Sequence, residues 1–567
     1  MSSERTSLGP SALRGEVAWL ALILLAALGL RAGRWAEERA SPLGRAPVVD
    51  ERTYDQWAQR LAGGAEPEVP YMAPLQAWSL AAWHRLLPPG PARDAQRGLQ
   101  LLLGLGTVAA TWALGRRLAG PRAGLVAAGA VALYVPLVYH ELTLLRDGPA
   151  TCVVALGTLL VVRLIERPSP AVALLAGLTW GVGALWRENL LVVALPGLAA
   201  LLTWALRDRA RRAARAAAVG CVAVGLFLPL LPVLHRNARL EGGWSLLPTW
   251  NGGCVFYLAN RRDNPGAGYL RPPFVPAGNP EAEQLGFRGE AERLTGRPLQ
   301  PHEISAYWLG RGVREVLLDP GLYARKVLQR AVWSVASGEL VHARDLALDA
   351  RSSLVLRFPG PGFGVLVGFG ALGAALLRRR PAARAIALVL LLGFLTTVTV
   401  AFATRYRLPA VPLLAALAAA GARGAVARLR AGRPVLLAVG LAIGLACTWI
   451  PVPYDRGLEA NSRLNRARVW MELGEPGRAF AELDQLEDAE ARGSAFGQLG
   501  LELLDNDEAE LAADASRRAV SLVPGWGPRL ASGWEARARR CALAGDESAA
   551  EAARAMAREL ATARRPG

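Results

Sequence analysis

An adjacent pair of carboxylates, Asp50-Glu51, follows the first long apolar run of the chain. A carboxylate held just outside a membrane can take the proton from a hydroxyl group that is about to act as a nucleophile. Apolar residues then recur at helical spacing over 54–61, which predicts an amphipathic helix lying in the membrane interface. Asp50 is therefore either a catalytic base or the cap of this helix, and a carboxylate at a helix start is well placed for both.

A second acidic turn lies between two later apolar runs and contains Glu141, Arg146 and Asp147. Pro149 fits the first turn of the helix that follows, so Asp147 is at least a charge that stabilises a helix start. Two acidic turns on the same side of a membrane can converge above one helical bundle. This turn is thus a candidate second part of the same site.

Basic residues form a possible complement to these carboxylates. Arg187 and the tripeptide Arg405-Tyr406-Arg407 lie at junctions of further apolar runs. Guanidinium groups bind phosphate through two parallel hydrogen bonds, so these positions are candidate contacts for a lipid phosphate. The alternative is that they only anchor helix ends at the interface.

Eleven apolar runs are long enough, or nearly so, to cross a bilayer, which predicts an all-α polytopic membrane protein. They cover 16–34, 98–119, 122–140, 149–166, 171–187, 189–206, 213–234, 361–378, 382–402, 406–422 and 433–451. The first run has a short apolar core and is alternatively a cleaved signal peptide. In both cases the segment that contains Asp50 lies outside.

Clusters of arginine set the orientation of these spans. Those at 116–117, 207–215, 378–384 and 423–433 all fall on one side of an alternating path, which the positive-inside rule makes cytoplasmic. The acidic turns are then extracytoplasmic. The net charge of +18 reflects this topology and contact with anionic lipid headgroups, so no nucleic-acid partner is predicted.

The runs divide the chain into four expected domains. Residues 1–234 form an N-terminal transmembrane catalytic module with the acidic first outer loop, and 235–360 form an extracytoplasmic loop domain with helices near 300–318 and 320–336. Residues 361–451 supply the last transmembrane helices. Residues 452–567 form a small extracytoplasmic α-helical domain, either degenerate tetratricopeptide repeats that bind a protein or a plain helical bundle.

The sequence lacks the residue spacings that are typical of several kinds of functional site. The histidines show no HxxxH or HxH pattern and the five cysteines no CxxC pattern, which argues against a His-ligated metal site and a zinc site. No P-loop, dinucleotide fingerprint or Gly-x-Ser-x-Gly elbow is present. The sequence therefore does not support nucleotide-driven chemistry.

Four motifs in order resemble the GT-C superfamily of lipid-dependent membrane glycosyltransferases, in the branch of the protein O-mannosyltransferases (glycosyltransferase family 39) and aminoarabinose transferases. Three of them are Asp50-Glu51-x-x-Tyr54-x-x-x-Ala58, Pro74-Leu75 and Arg405-Tyr406-Arg407-Leu408-Pro409 followed by Pro412-Leu413. The resemblance covers about 16–451. It implies a GT-C-like bundle of about eleven transmembrane helices.

The fourth motif is a loop segment, Glu241-Gly242 through Asn251–Asn260, and it departs from the family pattern. Bacterial members usually read closer to Asn-Gly-Gly-x-Asn-Phe-Tyr-x-Gly-Asn-Asn. Here Val255, Ala259 and Arg261 replace the second Asn, the third Gly and the last Asn. The replacements weaken a binding role at those three positions and leave the alignment intact.

The resemblance implies an inverting transfer of a sugar from a polyprenyl-phosphate donor to an acceptor hydroxyl of a lipid, glycan or protein. The active site would face the extracytoplasmic side of the inner (plasma) membrane. By analogy Asp50 is the general base, and Glu51 or Asp147 orients the acceptor or helps to hold a divalent cation, Mg or Mn. Arg187 and Arg405 would stabilise the leaving phosphate. The further substrate-binding candidates are Glu141, Arg146, Tyr406, Arg407, Asn251 and Tyr257.

Two other functions fit a polytopic chain. A transporter or flippase would carry charges buried within its spans and signs of inverted repeats, whereas here the charges gather at the ends of the runs. A non-catalytic membrane scaffold that works through the repeat-like tail would not need Asp50-Glu51.

Overall fold

The computed structural model describes residues 10–65, 68–207, 212–241, 247–276, 279–340, 344–452 and 456–562, and within these ranges the chain forms helices and no strands. The predicted all-α class is confirmed. Parts of the predicted Arg cluster at 207–215 and of the loop motif that begins at Glu241 lie outside the described residues. The first twelve helices are α1 Pro10–Ala40, α2 Pro42–Arg45, α3 Val49–Ala62, α4 Leu75–His84, α5 Pro89–Ala119, α6 Pro121–Ala132, α7 Val135–Glu141, α8 Asp147–Glu166, α9 Pro170–Trp186, α10 Asn189–Arg207, α11 Arg212–Phe227 and α12 Leu231–Glu241.

The remaining helices form the loop region, the last apolar helices and the tail. They are α13 Asn251–Asn260, α14 Pro280–Thr295, α15 Pro301–Leu318, α16 Pro320–Val335, α17 Leu346–Ala350, α18 Phe363–Leu376, α19 Pro381–Thr399, α20 Val411–Arg430, α21 Val435–Trp449, α22 Arg456–Glu472, α23 Pro476–Asp484, α24 Ala489–Asp505, α25 Ala509–Leu522, α26 Gly527–Leu543 and α27 Glu547–Thr562. A 3₁₀ segment, Thr404–Ala410, leads into α20. The helices predicted near 300–318 and 320–336 are confirmed as α15 and α16.

Among the described residues, five helical segments are long and apolar enough to cross a membrane, or up to seven if each of two bent pairs is one span. The five are Arg14–Ala40, Pro89–Ala119, Asp147–Glu166, Pro381–Thr399 and Thr404–Arg430, and four shorter apolar helices accompany them. Each of the eleven predicted runs falls on one of these segments. The count of eleven spans itself stays a prediction, because the four shorter helices contain only 10–17 residues.

The two bent pairs break where proline interrupts a helix. The pair α6 and α7 bends by 59° just before Pro136, and the pair α11 and α12 bends by 46° around Pro229. Proline removes a backbone hydrogen bond and clashes with the preceding turn, so it bends or ends a helix. The runs predicted over 122–140 and 213–234 are therefore broken.

Close helix packing within the bundle depends on glycine. A side chain at Gly373 of α18 would lie 2.0 Å from the Leu417 carbonyl oxygen of α20, and one at Gly421 would lie 2.1 Å from the Phe369 carbonyl oxygen. Small residues let helix backbones approach in this way where dispersion contacts drive association.

Three arginine clusters of the predicted cytoplasmic side meet at one end of the bundle. Arg380 donates from Nη1 to the Leu118 carbonyl at 2.8 Å, and Arg117 pairs with Glu166 at the end of α8. A side chain at Gly120 would lie 3.0 Å from Arg423 Nη1. A twenty-residue helix is about 30 Å long, so this end lies that far from Asp147 at the start of α8.

The helices α13 to α15 enclose an aromatic core. Trp308 contacts Phe287 and Phe274, with ring centroids 5.1 and 5.2 Å apart, and its indole nitrogen donates to the Phe287 carbonyl at 3.0 Å. Tyr54 and Trp57 of α3 belong to the same buried cluster. The apolar face of α3 is thus covered by protein, whereas the sequence placed it in the lipid interface.

By contacts the chain forms two compact units: 1–38, 49–340 and 350–452 in the first, and 39–48, 341–349 and 453–567 in the second. In the second unit, α22 to α27 form three consecutive helix hairpins around a common apolar core. Arg463 of α22 ties the first hairpin together through Glu482 of α23 at 3.0 Å. The helices predicted for the tail are confirmed, whereas its tetratricopeptide character stays a prediction.

Candidate functional site

The backbone is strained where the acidic pair begins. Val49 opens α3 with φ 48°, a left-handed conformation that is costly for a β-branched residue. Asp50 and Glu51 lie in the first turn of α3, where the helix dipole favours negative charge. Their side chains nevertheless take different partners.

Asp50 is joined to the late arginine motif. Arg405 Nη2 donates to Asp50 Oδ2 at 2.6 Å, and Arg405 Nη1 lies 3.9 Å from Asp147 Oδ2. Arg187 Nη1 donates to the other oxygen of Asp147 at 2.7 Å. The two acidic turns therefore converge, and Asp50, Arg405, Asp147 and Arg187 form a continuous chain of alternating charge, hereafter the charge chain.

The two carboxylates of the charge chain differ in exposure. The Asp50 side chain keeps 17% of its surface, whereas that of Asp147 keeps 3%. A buried charge is stable only when paired, and Asp147 has guanidinium groups on two sides. Asp50 is thus the carboxylate of this chain that an incoming hydroxyl group reaches more easily, and Asp147 is placed to hold the arginines.

Tyr406 supports both arginines through its ring. The guanidinium carbon of Arg187 lies 4.5 Å from the ring centroid, and that of Arg405 lies 5.7 Å from it. Contacts of this kind stabilise a cation and fix its plane.

A second ion pair lies beside the charge chain. Arg146 Nη1 donates to Glu188 Oε2 at 2.7 Å. Burial alone would lower the pKa of Arg146, but Glu188 and the other acidic groups around it together raise the pKa. Tyr54 is buried next to this pair and to Asp50, and burial raises the pKa of its hydroxyl group. Within the described part of the chain this hydroxyl has no hydrogen-bond partner. Sequence analysis treated Tyr54 only as an apolar and motif position.

Glu51 and Glu141 point into the protein. Glu51 is completely buried, and its Oε2 accepts the Leu144 backbone N–H at 3.0 Å. Glu141 pairs with Arg31 of α1 at 2.7 Å, and both side chains are fully buried. Arg31 was missed by the sequence analysis, although a charge within an apolar run is itself a signal of a buried partner.

Three other predicted residues have partners outside the charge chain. Arg407 binds Glu339 at 2.8 Å and the Gly338 carbonyl at 3.1 Å. Asn251 is buried at the start of α13, and Tyr257 packs on Trp308 with ring centroids 4.6 Å apart. Their contacts stabilise the loop region, and the substrate contacts implied by the resemblance stay predictions.

A further carboxyl group, Glu283 of α14, was not identified from the sequence. The Tyr269 hydroxyl donates to Glu283 Oε1 at 2.7 Å. Burial raises the pKa of Glu283 to about 7; the hydrogen bond from Tyr269 opposes the rise and the charge of Asp50 adds to it. Nothing in its helical, polar sequence surroundings distinguished Glu283 from its neighbours.

The donor set is poor for a resident metal ion. Among the described residues, no group of three or more His, Cys, Asp or Glu side chains is arranged to hold one. Asp50 and Asp147 each face a guanidinium, and Glu51 is taken by a backbone N–H. A divalent cation at these carboxylates remains a prediction, and no step proposed below depends on it.

Comparison with known proteins gives one family and several structures. Residues 69–234 match the family described as dolichyl-phosphate-mannose-protein mannosyltransferase. The chain is also similar to the oligosaccharyltransferase of Archaeoglobus fulgidus in its apo form, at 14% identity over 82% of this chain and 59% of that one, with a TM-score of 0.41.

A second similar structure is the oligosaccharyltransferase AglB from Archaeoglobus fulgidus in complex with an inhibitory peptide and a dolichol-phosphate. The identity is 13% over 82% of this chain and 59% of that one, with a TM-score of 0.39. This chain thus spans less than two thirds of the length of these structures. No curated protein matches it significantly.

The family match includes two members of the charge chain, Asp147 and Arg187, and ends before Arg405. The resemblance stated from the sequence motifs is confirmed over this segment. Residues 69–234 are therefore similar to the dolichyl-phosphate-mannose-protein mannosyltransferases.

Proposed function

We propose that this chain is an inverting glycosyltransferase that moves a sugar from a polyprenyl-phosphate donor to an acceptor hydroxyl at the extracytoplasmic membrane surface. The charge chain carries the proposal. It pairs a partly exposed carboxylate, Asp50, with the guanidinium of Arg405. Asp147 and the ring of Tyr406 hold this guanidinium beside that of Arg187. The family match supports a donor of the dolichyl-phosphate type.

In the proposed reaction the acceptor oxygen attacks the anomeric carbon from the face opposite the phosphate. Asp50 takes the hydroxyl proton, so the attacking oxygen gains nucleophilicity as the new bond forms. The bond between the anomeric carbon and the phosphate oxygen breaks, and its electron pair leaves on the polyprenyl phosphate. The sugar is transferred with inversion, and no oxidant or reductant is consumed.

Arg405 and Arg187 would stabilise the phosphate as it gains negative charge. A preorganised guanidinium contributes more to the transition state than to the bound donor, because the charge that it meets develops during bond cleavage. Asp147 keeps both groups in place in the absence of substrate. This division assigns proton transfer to Asp50 and a supporting role to Asp147.

The positions of the charged groups at the two ends of the bundle support the proposed orientation. The charge chain lies at one end of α8, and the arginine-rich turns meet at the other. By the positive-inside rule, this arrangement supports an extracytoplasmic position for the charge chain. A polyprenyl chain could remain in the lipid while its phosphate meets Arg405.

A donor experiment tests this function. Purified protein would be incubated with tritiated polyprenyl-phosphate monosaccharides and a membrane extract as acceptor, and transfer would be measured alongside release of polyprenyl phosphate. We expect transfer from at least one lipid donor and none from the matching nucleotide sugars. Transfer from a nucleotide sugar by protein free of polyprenyl lipid would rule the proposal out.

A further inference from the structure

The turn between α7 and α8, residues 142–146, sets the position of Asp147, because Asp147 is the first residue of α8. The turn is irregular and buried. A buried backbone group without a hydrogen bond destabilises the fold, so such a turn needs partners from other elements. Side chains from α3 and α5 supply them.

Gln100 of α5 makes the largest contribution. Its Nε2 lies 3.1, 2.8 and 3.3 Å from the carbonyl oxygens of Glu141, Thr143 and Leu145, and its side chain is fully buried. One amide group thus faces three alternate carbonyls, that of the last residue of α7 and two of the turn. A side chain without N–H donors could not replace it.

Two further side chains form hydrogen bonds with the backbone of the turn. Arg97, one turn earlier on α5, donates from Nε to the Leu142 carbonyl at 3.3 Å. Glu51 of α3 accepts the Leu144 N–H at 3.0 Å. Each of the five consecutive residues 141–145 therefore has a backbone group facing a buried polar side chain from another helix.

We propose that Gln100 is a positioning residue that, with Arg97 and Glu51, fixes the 142–146 turn and thereby aligns Asp147 with the two arginines of the charge chain. Glu51 then acts through the backbone of this turn, and Asp50 alone of the acidic pair meets the substrate. The effect on turnover rests on the proposed function, whereas the effect on the turn does not.

Gln96 offers a matched control. It lies one turn from Gln100 on the same helix, is equally buried, and donates to Gln100 Oε1 at 3.3 Å. Gln100→Leu removes the donor that faces the turn, whereas Gln96→Leu leaves the Gln100 contacts with the turn in place. Both replacements introduce the same side chain at a fully buried position.

Hydrogen exchange of the full-length protein in detergent, followed by mass spectrometry of peptides covering 140–148, tests the turn directly. We expect Gln100→Leu to speed exchange in these peptides at least about tenfold, as local opening becomes easier, and Gln96→Leu to leave it nearly unchanged. Equal exchange in wild type and Gln100→Leu, or equal acceleration in both variants, would overturn the proposal. This readout requires no enzymatic activity.

Turnover tests the link to Asp147. Misplacing a catalytic arrangement by about 1 Å can cost up to a hundredfold in rate, so Gln100→Leu is expected to lower turnover at least about tenfold. In an Asp147→Asn background the same change should cost less than about threefold, because the aligned carboxylate is already lost. Equal losses in both backgrounds would contradict positioning through Asp147. A wild type without transfer activity would instead count against the proposed function, and hydrogen exchange would still decide the role of Gln100.

Discussion

Asp50 and Arg405 lie 355 residues apart in the chain, and Arg405 Nη2 donates to Asp50 Oδ2 at 2.6 Å. This contact joins the first acidic turn to the 3₁₀ segment ahead of α20. Because Arg405 also approaches Asp147, one guanidinium lies between the two acidic turns. Loss of Arg405 should therefore disturb both carboxylates at once.

Arg405→Ala is expected to lower turnover at least about a hundredfold, because it removes a charge that would meet the leaving phosphate. Arg405→Lys should recover only part of the rate, since an ammonium group cannot bridge two anions with a planar fork. Initial rates with a saturating lipid donor measure both effects. Arg407→Ala is the comparison, because Arg407 binds Glu339 and nearby carbonyls: it should lower stability more than turnover per folded molecule. Full recovery in Arg405→Lys would argue against bidentate phosphate contact.

Asp147 should contribute more to stability than its neighbour Asp50. Asp147→Ala leaves Arg187 and Arg405 buried side by side, and removing one partner of a buried ion pair costs about 3–5 kcal/mol. We expect thermal unfolding in detergent to show a clear loss of stability. The double variant Asp147→Ala with Arg187→Ala should be less destabilised than the two single losses combined. Additive losses would mean that the pair is not coupled.

The pH dependence of stability should report Glu283. Its pKa in the folded protein is about 7, above its ordinary value of 4.5, so the folded state holds a proton that the unfolded state has released between these values. Stability should consequently fall as the pH rises from about 4.5 to 7, by up to about 3 kcal/mol, and then level off. Thermal unfolding of wild type and Glu283→Gln from pH 4 to 8 measures this. The difference between them should favour the variant increasingly up to about pH 7 and then stay nearly constant. Parallel curves would show that Glu283 has an ordinary pKa.

Labelling of engineered cysteines tests the orientation. In a variant whose native cysteines are replaced by Ser or Ala, an impermeant thiol reagent applied outside intact cells should reach a cysteine at Arg293 or Gly525 and none at Arg379. Arg293 and Gly525 are exposed in the loop region and the tail, and Arg379 lies in an arginine-rich turn. Labelling of Arg379→Cys alone would reverse the proposed sidedness. Protection of Gly525→Cys alone would place the tail on the other side and correct the number of spans.

The sequence predicted the elements of the fold well because hydrophobic run length and proline position are local signals. The breaks near Pro136 and Pro229 show the limit of these local signals. Composition predicted two continuous apolar runs at positions where the backbone bends. The amphipathic pattern of α3 also did not distinguish a face covered by lipid from one covered by Trp308 and its aromatic neighbours.

The convergence of Asp50, Asp147 and Arg405 was predictable in outline, since alternating spans bring outer turns to one side. The partners of each charge were not predictable, because pairing depends on helix packing between distant segments. Glu51 and Asp50 are adjacent in sequence, yet one binds a backbone N–H and the other a guanidinium. Glu283 and Gln100 carried no local signal, because each gains its importance only from what the fold places beside it.

The most direct measurement is the rate of sugar transfer from the lipid donor by Asp50→Asn, compared with wild type in the same detergent and lipid. Asparagine keeps the size and shape of the side chain but removes the base and the charge that Arg405 binds. Turnover should therefore fall at least about a hundredfold, while thermal stability should fall less than in Asp147→Ala, because Asp50 is the more exposed of the two carboxylates. If Asp50 were only a helix cap, Asp50→Asn would change stability by no more than about 1 kcal/mol and leave the rate intact. A folded Asp50→Asn protein that transfers sugar at the wild-type rate would contradict the account.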